Sequence, residues 1–231
     1  SAEDAAPVHM VSAWAYANGV VLGQLSTDGK SNEITAVPEL LARLDLAGCI
    51  VTLDAMGCQK EIAERIVEGD GDYVIVLKDN QKGLKAEAVA ALDEILGDEY
   101  DDCRKAHIRT VDDGHGRHEV RDYWLVDDMR TGGRKEEWAG LQCFGKVTSQ
   151  RTVRGETSEE TRWFVTSLPC KVKAFAEAAR AHWSIENSLH WSLDVTFRED
   201  ACRVRNRHAA ENLSTLRRTA LTALKRTELP K

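Results

Sequence analysis

The 231-residue sequence predicts an α/β domain: a mixed sheet flanked by helices, with a β-rich insertion ahead of a helical C-terminal part. Three observations carry this. Residues 49–77 read as strand, helix, strand in one short run. The hairpin signal Asn18-Gly19 stands between two β-like runs upstream of it. Beyond residue 97 the chain turns to short β-like runs, and beyond Pro169 it becomes mostly helical.

His9–Tyr16 reads as the first strand and Val20–Leu25 as its returning partner. Ser31 is a suitable N-cap for a helix whose apolar face is Leu40, Leu41, Leu44 and Leu46, ended by Gly48. The apolar run Cys49-Ile-Val-Thr-Leu53 predicts a buried strand closing on Asp54. A helix over 58–68 follows, with Ile62, Ile66 and Val67 at helical spacing, broken by Gly69-Asp-Gly71. Asp72–Leu77 is a second buried strand, closed by Lys78-Asp-Asn80, and Leu84–Leu96 a third helix. A strand–helix–strand unit is parallel and right-handed. An antiparallel hairpin leading into such a unit is the order of a ribonuclease H-like fold after its first strand. Residues 1–96 thus form the first part of the core and 97–168 the insertion. In the insertion, His107–Val111, Val120–Val126, Gly145–Gln150 and Arg162–Ser167 are the β-like runs, and Asp112–Arg117 is a turn. Residues 169–231 form the helical part, ending in a helix over Ala209–Arg226.

The net charge of −7 argues at first against a polyanionic partner, but its distribution reverses that. Residues 138–231 carry 16 basic and 10 acidic side chains, whereas 61–137 carry 12 and 21. Local fields, not the total, decide whether nucleic acid docks. No apolar run approaches the roughly 18 residues of a membrane helix. The six cysteines form no Cys-x-x-Cys pair and read as reduced thiols in a cytoplasmic protein, Cys49 buried in its strand.

Asp54 is the leading candidate for chemistry. A carboxylate at the carboxyl end of a buried strand lies on the rim where open α/β sheets place ligands. The competing reading is a helix-capping or turn residue. Glu186, within Ala181-His-Trp-Ser-Ile-Glu-Asn187, is the second carboxylate, with a solvated helix position as its competing reading. Together the two would supply most of a two-metal phosphodiester centre, in which ions about 4 Å apart activate the attacking oxygen and stabilise the leaving one. Hard oxygen donors make Mg²⁺ the expected ion and Mn²⁺ its substitute. Lys78 and Asn80 end the neighbouring strand on the same rim, and Lys60 lies on the helix after Asp54. His115 and His118 beside Asp112 and Asp113 fit a glycine-rich turn better than a zinc or iron site. Trp183 and Trp191 read as core or interface anchors on one helical face. Asp194, Glu199 and Asp200 read as salt-bridge partners of nearby arginines, the competing reading being that one of them is an auxiliary metal ligand.

Long strings, not short patterns, identify the family. Thr52-Leu-Asp-Ala-Met-Gly-Cys-Gln-Lys60 and His182-Trp-Ser-Ile-Glu-Asn-Ser-Leu-His-Trp-Ser-Leu-Asp-Val-Thr-Phe-Arg-Glu-Asp200 resemble the H-repeat-associated, ISAs-type insertion-sequence transposases, a DDE family. Lys30-Ser-Asn-Glu-Ile-Thr35, Leu77-Lys-Asp-Asn-Gln81, Gly114-His-Gly-Arg117 and Arg205-Asn-Arg-His-Ala-Ala-Glu-Asn212 extend the match in order over nearly the whole chain. The resemblance implies a ribonuclease H-like catalytic domain that cuts and joins DNA, with Asp54 as second and Glu186 as third acidic metal ligand. It implies transposon ends and target DNA as partners, and a homodimer suits the pairing of two ends. The family's first Asp lies in an Ile-Asp-Gly-Lys-like motif ahead of the strand matching His9–Tyr16, and this sequence has no such motif. Asp4 stands too close to His9, and Asp28-Gly-Lys30 follows the wrong strand. The expectation is therefore a domain lacking its N-terminal region and first ligand, active only if that ligand is encoded upstream. Wider relatives place Tyr, Arg and Lys around the Glu where this chain has Ala179, His182 and Leu193. Arg180 and His182 are then the phosphate-contact candidates, with Arg198, Arg203, Arg205 and Arg207 as a basic cluster. Arg217, Arg218, Lys225 and Arg226 would extend it.

Overall fold

The computed structural model describes residues 9–27, 33–97, 104–114, 116–127, 135–204 and 206–227. The chain divides into two compact units, Leu46–Ala179 and Ser1–Asp45 with Arg180–Lys231.

The Leu46–Ala179 unit is built on a six-stranded mixed sheet. Strands β3 (Ile50–Leu53) and β4 (Asp72–Leu77) are parallel, joined through helix α2 (Lys60–Glu68). Beyond helix α3 (Lys82–Gly97) come β5 (Arg104–Gly114), β6 (Arg117–Asp127), β7 (Cys143–Val153) and β8 (Glu156–Thr166). The sheet order is β3-β4-β8-β7-β6-β5, and every pair but β3–β4 is antiparallel. The architecture is the expected mixed α/β sheet flanked by helices, consistent with a ribonuclease H-like transposase fold. The β-rich run supplies four of the six strands, and β8 lies directly against β4. Phe164, Val165 and Thr166 of β8 are buried on both faces, which places β8 in the sheet centre. The join is bolted by buried hydroxyls. Thr166 Oγ1 donates to the Tyr73 carbonyl at 2.6 Å, and Ser167 Oγ accepts from the Tyr73 amide at 2.9 Å.

Helix α2 buries Ile62 and Ile66 of the predicted face together with Ala63, while Val67 is half-buried. Each isoleucine removed from water contributes about 1.5–3 kcal/mol. Helix α4 (Val172–His182) sets Phe175 against the sheet, edge-on to Phe164 (5.3 Å between ring centres) and Tyr123 (6.4 Å). Gly145 of β7 lies under that ring: a Cβ there would meet Phe175 Cζ at 2.6 Å.

In the second unit, β1 (His9–Ala15) and β2 (Val20–Thr27) form an antiparallel pair. The sequence placed this hairpin in the main sheet. Instead it is a two-stranded sheet of its own among the described residues. Helix α1 (Glu33–Leu41) stops well before Gly48, and Leu46 is buried outside any helix. The expected cap Ser31 lies outside the described residues. After α4 the chain stays helical but widens into two π-helical turns, Glu186–His190 and Ser192–Thr196. Helix α5 (Arg207–Arg226) follows, capped by Asn206, whose Oδ1 accepts from the Ala209 amide at 3.2 Å. Leu189, Leu193 and Leu221 form this unit's small core, with Trp14, Val21, Ile185 and Phe197 packed on it.

Three further expectations are corrected. Cys49 is exposed and precedes β3, because the strand begins one residue later. Asp112 to Gly114 continue the β5–β6 ladder to Gly114↔Arg117, so they are strand residues and not turn residues. Trp191 is 58% exposed, because the π turns rotate it off the face that eight-residue α-helical spacing implies. Cys49, Cys58, Cys143, Cys170 and Cys202 are thiols outside any disulfide. No helix among the described residues is long and apolar enough to cross a membrane.

Candidate active site

Asp54 follows the carboxyl end of β3, where the chain leaves the sheet for a short 3₁₀ turn over Ala55–Gly57. It occupies the N-cap position of that turn, yet its side chain makes no capping hydrogen bond. The capping reading of Asp54 therefore lacks its defining interaction. The carboxylate projects from the rim, 62% exposed, with Lys78 Nζ 3.6 Å from Oδ1. The parallel β3–β4 register puts both residues at one end of the sheet: Leu53 pairs with Ile75, so each strand ends on the same side. An ion pair this exposed is worth about 0–1 kcal/mol. A cation or a phosphate can replace either partner at little cost.

The turn behind Asp54 is braced from β4. Asn80 Nδ2 donates to the Ala55 carbonyl at 2.7 Å, and Gln81 Nε2 donates to the Cys58 carbonyl at 2.9 Å. Asn80, predicted to orient a reacting group, thus grips the backbone next to Asp54. Gln81 was missed, although it follows Asn80 directly in Lys78-Asp-Asn-Gln81. Lys60 is not at Asp54; it is ion-paired with Glu137. Cys58, on the same turn, is fully buried, and burial pushes its thiol up to about 12. It stays a protonated thiol at neutral pH, unfit as a nucleophile.

In the other unit, Glu186 opens the first π turn and is exposed. No hydrogen bond or ion pair among the described residues engages its side chain. π turns inside helices frequently mark functional sites. Arg180 is exposed on α4, and His182 meets Trp183 edge-on at 5.2 Å between ring centres. Arg198 is exposed with a left-handed backbone (φ 50°), and Arg203 is exposed before α5. Arg207 is the first residue of α5, and Arg205 lies outside the described residues.

Of the basic residues expected to extend along α5, Arg218 does not face solvent. That side chain is buried, with Nη1 donating to both Glu199 carboxylate oxygens (2.9 and 3.0 Å) and Nε to Ser12 Oγ of β1 (3.0 Å). Arg217 lies 3.8 Å from the same carboxylate, so Glu199 is the predicted salt-bridge partner. The clamp ties the segment after the π turns to β1 and α5. Lys225 lies over the Trp14 ring, 5.1 Å from its centre. The Asp194 carboxyl is raised by partial desolvation and by the neighbouring Asp200 and Glu199 charges, against the opposing pull of His190 and Arg218.

Among the described residues no three His, Cys, Asp or Glu side chains are grouped to hold a metal ion. This includes His118, which pairs with Asp113 at 2.6 Å across the β5–β6 hairpin. His115 lies outside the described residues. Asp54 and Glu186 nevertheless fit a hard divalent cation as individual donors. Both are exposed carboxylates that no cap or buried hydrogen bond consumes.

The family model described as "Transposase DDE domain" matches residues 5–223, spanning both units and both carboxylates. The chain belongs to this DDE transposase family. The resemblance seen in the sequence strings is borne out by the relatives as well. The chain is 41% identical over 223 residues to "Putative transposase YncI" of Escherichia coli O157:H7, covering 94% of this chain and 56% of that protein. It is 39% identical over 224 residues to "H repeat-associated putative transposase YhhI" of Escherichia coli K12, covering 94% and 58%. It is equally 39% identical to "Putative protein YbfL" of the same strain, with the same coverage. The DDE domain described here thus spans rather more than half the length of these relatives.

Proposed function

We propose that this DDE domain carries the second and third carboxylates, Asp54 and Glu186, of a two-metal centre that cuts DNA at transposon ends and joins the freed 3′-hydroxyl to target DNA. The observation that carries the reading is the state of Asp54: on the strand-end rim, exposed, used by no cap, and held only by a weak pair to Lys78. The bound ions, Mg²⁺ or Mn²⁺, supply activation of the attacking oxygen and charge stabilisation of the leaving one. The protein's part is to hold and orient. Asn80 and Gln81 fix the backbone turn that aims Asp54. Lys78 exchanges its carboxylate for a DNA phosphate as substrate arrives. Arg180, His182, Arg198, Arg203, Arg205 and Arg207 give salt-sensitive backbone contacts that position DNA without reading sequence. Transposon ends are brought together by two copies of the protein, and the cytoplasm is where this chemistry meets bacterial DNA.

The test is cleavage of linear duplexes bearing the element's ends, in Mg²⁺. Asp54→Asn and Glu186→Gln each abolish cutting while gel-shift binding of the same duplexes is retained; normal cutting by either variant sinks the assignment. A second reading is an inactive remnant that keeps DNA binding or self-association. Metal-dependent cutting by the unaltered protein eliminates it.

A further inference from the structure

Strand β5 is an outer strand of the six-stranded sheet and, among the described residues, pairs only with β6. It has eleven residues, about twice the usual strand length. Its ladder runs from Arg104↔Asp127 to Gly114↔Arg117 in unbroken register. Proteins ordinarily blunt such an edge by shortening it, bulging it, covering it or placing proline or charges in it. The opposite outer strand, β3, is short at four residues; β5 is long, without bulge or proline, and among the described residues its charges are the one such device it carries.

Those charges are ordered. The strand begins with Arg104 and Lys105 and ends with Asp112, Asp113 and Gly114. Two copies laid side by side in parallel would oppose like charges. Laid antiparallel, they oppose unlike ones. A two-fold axis normal to the sheet keeps each residue on its own face, so paired residues must be an even number apart in sequence. Centring the axis on Arg109 sets Lys105 opposite Asp113 of the second copy, twice, and His107 opposite Val111. All four of these residues are exposed. Arg109 tolerates meeting itself on the axis because Asp122 already matches its charge through two 2.9 Å hydrogen bonds.

We infer that β5 is a self-pairing edge through which two copies of this chain join antiparallel into one continuous sheet. Each copy has one such edge, so the assembly closes as a dimer. This interface is independent of the metal-centre reading, since none of its residues belongs to that site.

Sedimentation of the purified chain over a micromolar concentration series tests it. The unaltered chain shows a monomer–dimer equilibrium. Lys105→Asp and Asp113→Lys each weaken dimerisation about tenfold, because each places like charges opposite one another at two symmetric positions. Thermal melts of the two variants report that the fold is kept. Mixed in equal amounts, the variants pair with each other, since the reversed charges are then complementary at both positions. A monomeric unaltered chain, unaltered dimerisation by either variant, or no recovery on mixing overturns the inference.

Discussion

Asp54 and Lys78 show how little energy separates a structural pair from a functional one. At 3.6 Å and well exposed, the pair leaves stability almost untouched when it is broken. Lys78→Ala should therefore change the thermal midpoint by about 3 °C at most, yet weaken DNA binding and flatten its dependence on salt, as measured by titration at several ionic strengths. A fall in stability without a change in salt slope would show that Lys78 is structural only. Asp122 is the contrasting case. Its carboxyl is held below the ordinary carboxylate range, chiefly by the Arg109 hydrogen bonds and further by His107 at 2.7 Å. A depressed carboxyl contributes stability that is present above the unfolded-state pKa and is lost as pH falls through the folded-state value. Arg109→Ala removes the main cause. The variant should lose stability relative to the unaltered chain near neutral pH, and the gap should close as pH falls below the ordinary carboxylate range and through the lowered folded-state value; urea midpoints against pH record it. The primary structure showed Asp54 and Glu186 as carboxylates in telling strings. It did not show that Arg218 is buried, because an arginine on a basic helix carries no local mark of whether a Glu199 waits for it.

At the scale of elements, the strands and helices were largely legible. The run Asp72–Leu77 is the observed β4, and the apolar spacing of Ile62 and Ile66 gave α2 its buried face. Lengths were not legible where pairing set them. β5–β8 each extend to eleven residues because the hairpin ladders continue past the last apolar residue. The β7–β8 turn shows why they can: Arg154 (φ 52°) and Gly155 (φ 85°) both adopt the left-handed backbone that a two-residue hairpin loop requires. Packing between elements was equally invisible. Gly145→Ala would drive a methyl into the Phe175 ring and should cost about 1–3 kcal/mol, read as a lower denaturant midpoint at unchanged slope. Phe175→Leu, which yields space, should partly restore Gly145→Ala in a double-mutant cycle. The Arg218 clamp joins three elements, β1, α5 and the segment after the π turns. Arg218→Met should destabilise by about 3 kcal/mol because it leaves the Glu199 carboxylate without its main partner, and calorimetry will show the loss.

For the molecule as a whole, class and family were within reach of the chain alone. Periodicity is a local property, so the α/β class followed from runs of a few residues. Family strings are local too, and they singled out Asp54 and Glu186 as candidates. What packing alone could settle was which strands are neighbours. β8, about ninety residues downstream, lies beside β4, and among the described residues the first hairpin pairs only with itself. Pairing partners are chosen by burial and backbone hydrogen bonding over long sequence separations, and no local pattern encodes that choice. The same holds for charge: composition lists Lys78, Arg109 and Arg218 alike as cations. Only their surroundings make one an exposed rim partner, one a neutralised edge residue and one a buried clamp.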